Sequence, residues 1–413
     1  DSDCGWHASC NAEGLCEAYK LGANPLADGA MGAVSFVIAG ISLAAGVGGG
    51  GMFVPLLMVM LSFDARVATA LSQSMLLGGA IAAFVYNLDH SHPRRPARPL
   101  VDFELACLMG PALMAGAQVG SVVHAVAPPA ALLVLLCIVL TDAARKGLAS
   151  AKKISAQEKE KGNQESAHKA LAEVEKPDSS SAESGSGSGS ESASSAPGDL
   201  EEAVERISDA KCKLFFVWLF CLSVVLCKGL LFELCAPQWW ALVIGAALCL
   251  GGFALWYAEQ LSEKPPVDEE GLDFRELARP LVRWSFLAGL LAAVCGIGGG
   301  MVMGPILVGL KVPPPVSSAT TATTLLVLSS SISLVYICRG FAPRHYSIYL
   351  SVITTFGALT GKVLIGRWVR RTGKESALVW ALAGITIVST LLMGSLGLVR
   401  AYENGAQAFQ FGD

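Results

Sequence analysis

The chain has 413 residues, of which 53% are hydrophobic and only 15% charged, and its formal net charge is -4. Soluble domains carry about a quarter charged residues, and a nucleic-acid binder would show a basic stripe, which is missing here. These totals exclude an ordinary soluble domain and a nucleic-acid partner, and they predict an all-α, polytopic membrane protein, because lipid forces backbone groups to bond within helices.

Residues 1–29 form a polar leader opening on DSDCGWHASC, with no signal-peptide pattern. Cys4, Cys10 and Cys16 stand at C-x5-C-x5-C spacing with His7 between them. That spacing fits no common zinc pattern, so no metal is expected. One reading is a small disulfide-bearing cap in an oxidising compartment. Three is an odd number, so Cys235 in LFELCAPQWW is the first candidate for a further partner and Cys338 the second. The other reading leaves the leader thiols free.

A first transmembrane unit covers residues 30–148. Its opening run, Gly32–Leu61, would be about 45 Å long as one straight helix at ~1.5 Å per residue, too long for ~30 Å of hydrocarbon. GVGGGGMFVP (Gly46–Pro55) interrupts it. Consecutive glycines cost about 1 kcal/mol each in a helix, so a break is expected at Gly48, Gly49, Gly50 and Gly51, with a half-helix on either side. The second half-helix would begin at the break with amides that have no carbonyl partners and a partial positive charge. Glycine lets a ligand approach that backbone closely, which makes the break a candidate anion seat. Pro55 lies about one turn in, where its missing N–H costs little. Val67–Tyr86 and Leu105–Val126 follow as spans. In the first, Ser72, Gln73 and Ser74 could complete an anion's shell or simply pack the helix. In the second, Gln118 sits deep in apolar sequence and must find a polar partner, and GAQVG (Gly116–Gly120) favours close helix contact.

Residues 149–211 read as a disordered serine- and glycine-rich linker. Residues 212–258 supply two linking spans, Leu214–Phe232 and Trp239–Tyr257, and 259–280 an acidic loop. The second unit, 281–399, repeats the first, with GIGGGMVMGP aligning with GVGGGGMFVP at an offset of 250 residues. Gly298, Gly299, Gly300 and Pro305 repeat the break. VSSATTAT, with Thr320, Thr321, Thr323 and Thr324, stands opposite VATALSQS, and GALTG (Gly357–Gly361) opposite GAQVG. The spans are Val316–Ile337, Tyr346–Val369 and Ala377–Val399, followed by a tail, 400–413. Lys362 is the one cation well inside a span. Such a residue is a functional candidate, although near a helix end it can instead snorkel.

The basic segments DHSHPRRPARP, ARKGLASAKK and RWVRRTGK fall on one side, the cytosolic side by the positive-inside rule. The leader is then extracellular or lumenal, and the two units have opposite topology, as in many transporters. No acidic residue lies mid-span in either unit, so a central proton relay is not expected. His90, His92 and His124 are scattered and join no catalytic motif, so no enzymatic activity and no cofactor are expected.

GVGGGGMFVP, GIGGGMVMGP and the run VPPPVSSATTATTLLVLSSSISLVYICRGFAPRHYSIYL resemble the sulfite exporter TauE/SafE family in its plant and algal branch. The resemblance spans nearly all of 32–149 and 213–398. It implies a secondary transporter exporting sulfite, organosulfonates or similar oxyanions by alternating access around the two breaks. The partners are then that small anion, the lipid bilayer of a plasma membrane or endomembrane, and, as an open alternative, further copies in a homo-oligomer. An anion channel and a membrane receptor or scaffold remain the alternatives.

Overall fold

The computed structural model describes residues 8–10, 16–18, 21–22, 24–44, 46, 48–92, 95–174, 197–232, 237–263, 274–310 and 312–372, together with 380, 383–384, 387–392 and 394–395. Eleven helices carry the fold among these residues: α1 Pro25–Ala44, α2 Gly50–Met60, α3 Ala65–Leu88, α4 Phe103–Val126, α5 Pro129–Val174, α6 Pro197–Leu230, α7 Pro237–Glu263, α8 Phe274–Cys295, α9 Gly300–Gly309, α10 Pro314–Cys338 and α11 Arg344–Thr372. Two small antiparallel hairpins add β1 Ala8–Cys10 with β2 Cys16–Ala18, and β3 Ser91–His92 with β4 Arg95–Pro99. Eight of the described helices are long and apolar enough to cross a membrane. The chain is an all-α, multi-pass integral membrane protein with minor hairpins in its polar segments.

α1 lies on α11, and α8 lies on α4. The first helix of each unit thus packs on the fourth helix of the other. α1 and α11 run in the same direction, with Asp28 bonded to Tyr346 and Gly40 against Gly361. α4 and α8 do likewise, with Gly116 against Phe286 and His124 on the Val294 carbonyl. α3 joins the first set through Gly78 on Ser351 and Asn87 on Lys362. α10 joins the second through Thr320 on Asp102 and Ser331 on Met114. Between the sets the sense reverses: along α3 and α8, Thr69 meets Gly296 while Gln73 meets Ala292.

Glycine makes these contacts close. A Cβ on Gly357 or Gly361 would strike the Phe36 or Gly40 carbonyl, and one on Gly116 or Gly120 the Phe286 or Leu290 carbonyl. Phe36 and Gly40 correspond to Phe286 and Leu290 at the same 250-residue offset as the glycine breaks. The small residues of GAQVG and GALTG do bring helix backbones together, as expected of such a pattern in lipid. α6 and α7 flank α4, α8 and α10, with the Trp218 indole N–H donating to Ser330 Oγ at 2.9 Å. Phe215, Phe216 and Leu248 on the linking helices, and Ile348 and Phe356 on α11, are exposed and face the hydrocarbon in a bilayer.

At one end the Asp28 carboxylate is buried and accepts from Tyr346 OH and from the Gly22 N–H, each at 2.8 Å, while Tyr349 OH donates to the Asp28 carbonyl. Neutral donors therefore satisfy this carboxylate and pin the start of α1 to α11.

The linker expected over 149–211 is corrected in part. α5 continues to Val174 and α6 starts at Pro197; residues 175–196 lie outside the described residues. The sequence up to Val174 is rich in Ala, Lys, Glu and Gln, strong helix formers, with no proline between Pro129 and Pro177. α6 opens with proline, a favoured first helical residue, and a Lys213–Asp209 pair supports it at 2.7 Å. In the leader, the hairpin register sets Cys10 opposite Cys16. Cys4 and Cys235 lie outside the described residues, and Cys338 is a free thiol. The span expected at 377–399 lies only partly within the described residues, and those are helical.

The close approach of α4 and α8 predicts that Gly289→Val, whose Cβ would strike the Leu113 carbonyl, costs about 1–3 kcal/mol or more. Gly245→Val, with no atom within 4 Å of its Cβ, leaves the melting temperature in detergent unchanged. Equal melting of the two variants contradicts this packing.

Candidate functional site

The two opening spans are interrupted where the glycines stand. α1 ends at Ala44 and α2 begins at Gly50; α8 ends at Cys295 and α9 begins at Gly300. Gly46, Gly48 and Gly49 have φ of 77°, 86° and 73°, and Gly296 and Gly298 have φ of 71° and 72°. Left-handed backbone costs other residues roughly 1–2 kcal/mol each, so glycine is what permits the reversal. Met52 N–H bonds back to the Gly49 carbonyl at 3.0 Å and Met303 N–H to the Gly299 carbonyl at 3.0 Å. Gly49, the N-cap of α2, provides no side-chain cap. The Gly50 and Gly51 amides therefore lack a carbonyl of their own helix.

The breaks abut. A Cβ on Gly50 would stand 2.6 Å from the Gly296 carbonyl oxygen, and that on Gly51 2.9 Å from Met301 Sδ. Each break is also lined by the hydroxyl helix of the other unit. A Cβ on Gly46 would strike Ser318 of α10, and one on Gly296 would stand 3.0 Å from the Thr69 backbone of α3. Leu76 of α3 and Leu325 of α10 close over both: a Cβ on Gly48 would lie 2.8 Å from Leu325 Cδ1, and one on Gly298 2.9 Å from Leu76 Cδ1.

The structure sorts the polar candidates. Ser72 Oγ donates to the Gly296 carbonyl at 2.8 Å, and Gln73 Nε2 to the Ala292 carbonyl at 2.8 Å. These two hold the second break, and Gln73 Oε1 is buried without a partner. Lys362 is buried rather than snorkelled, at 7% exposure. Its Nζ stands 3.4 Å from both Ser318 Oγ and Asn87 Oδ1, one hydroxyl away from Gly46. Thr321 Oγ1 is buried and unpartnered one turn beyond Ser318.

Other candidates are employed elsewhere. Thr320 Oγ1 accepts the Asp102 N–H at 3.0 Å. Ser74 bonds Ser333 at 2.9 Å, and Thr323 and Thr324 donate to carbonyls of their own helix. Gln118 turns toward Cys221 of α6 at 3.5 Å. Pro55 and Pro305 sit inside α2 and α9, one turn past the breaks. The sequence reading missed Asn87, Ser318, Leu76 and Leu325. Ser318 carried a signal, lying within the repeated VSSATTAT; the other three carried none. Among the described residues no group of three or more His, Cys, Asp or Glu is placed to hold a metal. Beside α10 the Asp102 carboxyl, whose Oδ1 caps α4 through the Leu105 N–H, is pushed above its usual range by burial.

A family model described as "Sulfite exporter TauE/SafE" matches residues 27–174 and 205–393, which include both breaks. The chain belongs to the sulfite exporter TauE/SafE family. Sulfite exporter TauE/SafE family protein 3 of Arabidopsis thaliana is 30% identical over 384 residues, covering 89% of this chain and 78% of that protein. Family protein 5 of the same plant is 28% identical over 388 residues, covering 90% and 84%. No solved structure matches. As a TauE/SafE protein the chain is a multi-pass membrane transport protein.

The contact of Ser72 with the second break generates a prediction. Ser72→Ala loses one hydrogen bond and lowers stability by about 1 kcal/mol. Gly296→Ala lowers it further, because its Cβ meets Ser72 while its φ stays positive. In the double variant the two losses are less than additive in a melting series; strict additivity would show that Ser72 does not line the break.

Proposed function

We propose that this TauE/SafE protein is a secondary exporter of small anions, sulfite or an organosulfonate, working by alternating access around its two glycine breaks. One observation carries the reading: two left-handed glycine breaks lie against one another, each lined by the other unit's hydroxyl helix. Two helix starts with unpaired amides hold a negative guest by partial charge, and Ser72, Gln73, Thr321 and Lys362 border them. The names of the Arabidopsis relatives supply the sulfite class.

The helix directions support an inverted repeat, since α1, α3 and α11 run against α8, α10 and α4, their counterparts. Such repeats commonly rock about a fixed midplane site. The leader is then extracellular or lumenal, and the basic loops are cytosolic. Export down a negative-inside potential gains about 2.3 kcal/mol per charge per 100 mV. Leu76 and Leu325 across both breaks favour a carrier over an open channel, because a conducting pore needs a continuous polar path.

In proteoliposomes, sulfite or a sulfonate should move at a saturable rate that rises with an outward-driving potential, and Gly298→Val should abolish it. Absence of flux for sulfite and for sulfonates alike contradicts the exporter. Unitary current steps without saturation would replace it with a channel.

A further inference from the structure

The two breaks are not chemically equal. At the second, the side chains on the break are already engaged: Ser72 and Gln73 donate to the Gly296 and Ala292 carbonyls, and the cation one turn before Thr69, Arg66, donates to the Ala127 carbonyl at 2.8 Å. At the first, the neighbours are donors with unused capacity. The Lys362 ammonium has three protons and two long contacts of 3.4 Å, to Asn87 Oδ1 and Ser318 Oγ. Among the described residues no carboxylate lies within ion-pair distance of it. Asn87, with its Oδ1 turned to the ammonium, leaves Nδ2 buried and without a partner at 2% exposure. Thr321, fully buried, leaves its hydroxyl unpaired. A buried, unpaired cation is costly, and so is each idle buried donor. Lys362 meets Asn87 and Ser318 and Thr321 follows Ser318 by one turn of α10, so an oxyanion with several acceptor oxygens seated among these helices would relieve all three.

We propose that Lys362, Asn87 and Thr321 form the charge-bearing subsite beside the first break, and that it takes the singly charged oxyanion head of the cargo, such as a sulfonate group. This rests on the anion-transport reading and deepens it. One full countercharge matches a monoanionic head. The second break offers Ser72 and Gln73, both already spent on backbone carbonyls, so the cargo has a fixed orientation in the site.

The test is the concentration dependence of melting of the purified full chain in detergent with sodium methanesulfonate at constant ionic strength. The wild type should gain stability as the anion binds. Lys362→Met should raise the half-saturating concentration at least ~10-fold, the loss expected for a charged hydrogen bond, while Lys362→Arg stays within a few-fold. Without anion, Lys362→Met should melt at or above the wild type, since it removes a buried unpaired charge; a merely structural lysine would lower it. Asn87→Ala and Thr321→Val provide independent readings should Lys362→Met fail to fold, each weakening binding several-fold. Wild-type affinity in Lys362→Met, or in both of the other variants, overturns the subsite and leaves anion transport standing. No shift of the wild type with methanesulfonate or with sulfite overturns the subsite and the anion reading together.

Discussion

Backbone hydrogen bonding in a dry environment governs this molecule. A helix that stops halfway through a bilayer leaves amides and carbonyls that lipid cannot satisfy. The protein contains two such stops and keeps both by burying them where the two units meet. Ser72 and Gln73 of α3 tie down carbonyls near the second break, and Ser318 of α10 lies against Gly46 in the first. The first helix of each unit rests backbone-to-carbonyl on the fourth helix of the other through Gly116, Gly120, Gly357 and Gly361. Each break is packed by residues of both units, Gly48 by Leu76 and Leu325 and Gly298 by the same pair, and the contacts between units help make an interrupted span tolerable.

The same exchange explains what the sequence revealed and what it withheld. The breaks were legible because four glycines in a row oppose helix continuation wherever they occur, and because the pattern occurs twice at one offset. The close glycine contacts were legible for a similar reason: a Gly-x-x-x-Gly spacing is a local property. The direction in which Ser and Thr side chains point is not local. Thr320 looks equivalent to Thr321 on paper, yet the ~100° step between neighbours on α10 aims the first at the Asp102 amide and leaves the second buried without a partner. Gln118 had to find a polar partner and found it toward α6, a helix inserted between the units. Asn87 ends α3 beside a polar loop, and only the packing of α11 along α3 sets it against Lys362. The serine- and glycine-rich middle dominates the composition of 149–211, whereas helix propensity acts over its charged, alanine-rich ends, into which α5 and α6 extend.

Function follows from this arrangement of charge. Around the first break stand amide dipoles, hydroxyls, amides and the buried Lys362 ammonium, while the Asp28 and Asp102 carboxylates are held by their own donors. An environment of that kind attracts an anion while limiting the desolvation cost, because partial charges spread over backbone amides give up less hydration than fixed ions. Leu76 and Leu325 close over the junction; under the proposed exporter reading, α3 and α10, which carry them, move relative to the broken spans to let the cargo pass.

The central claim is that the junction of the two breaks is where the anion sits. Density maps of the full chain in lipid nanodiscs, recorded with and without selenite as a heavier analogue of sulfite, test it most directly. The account predicts a new feature bounded by Gly46, the start of α2 and the Lys362 ammonium, with both opening spans interrupted. Selenite bound only away from the breaks, or α1 and α2 joined into one unbroken helix, would contradict it.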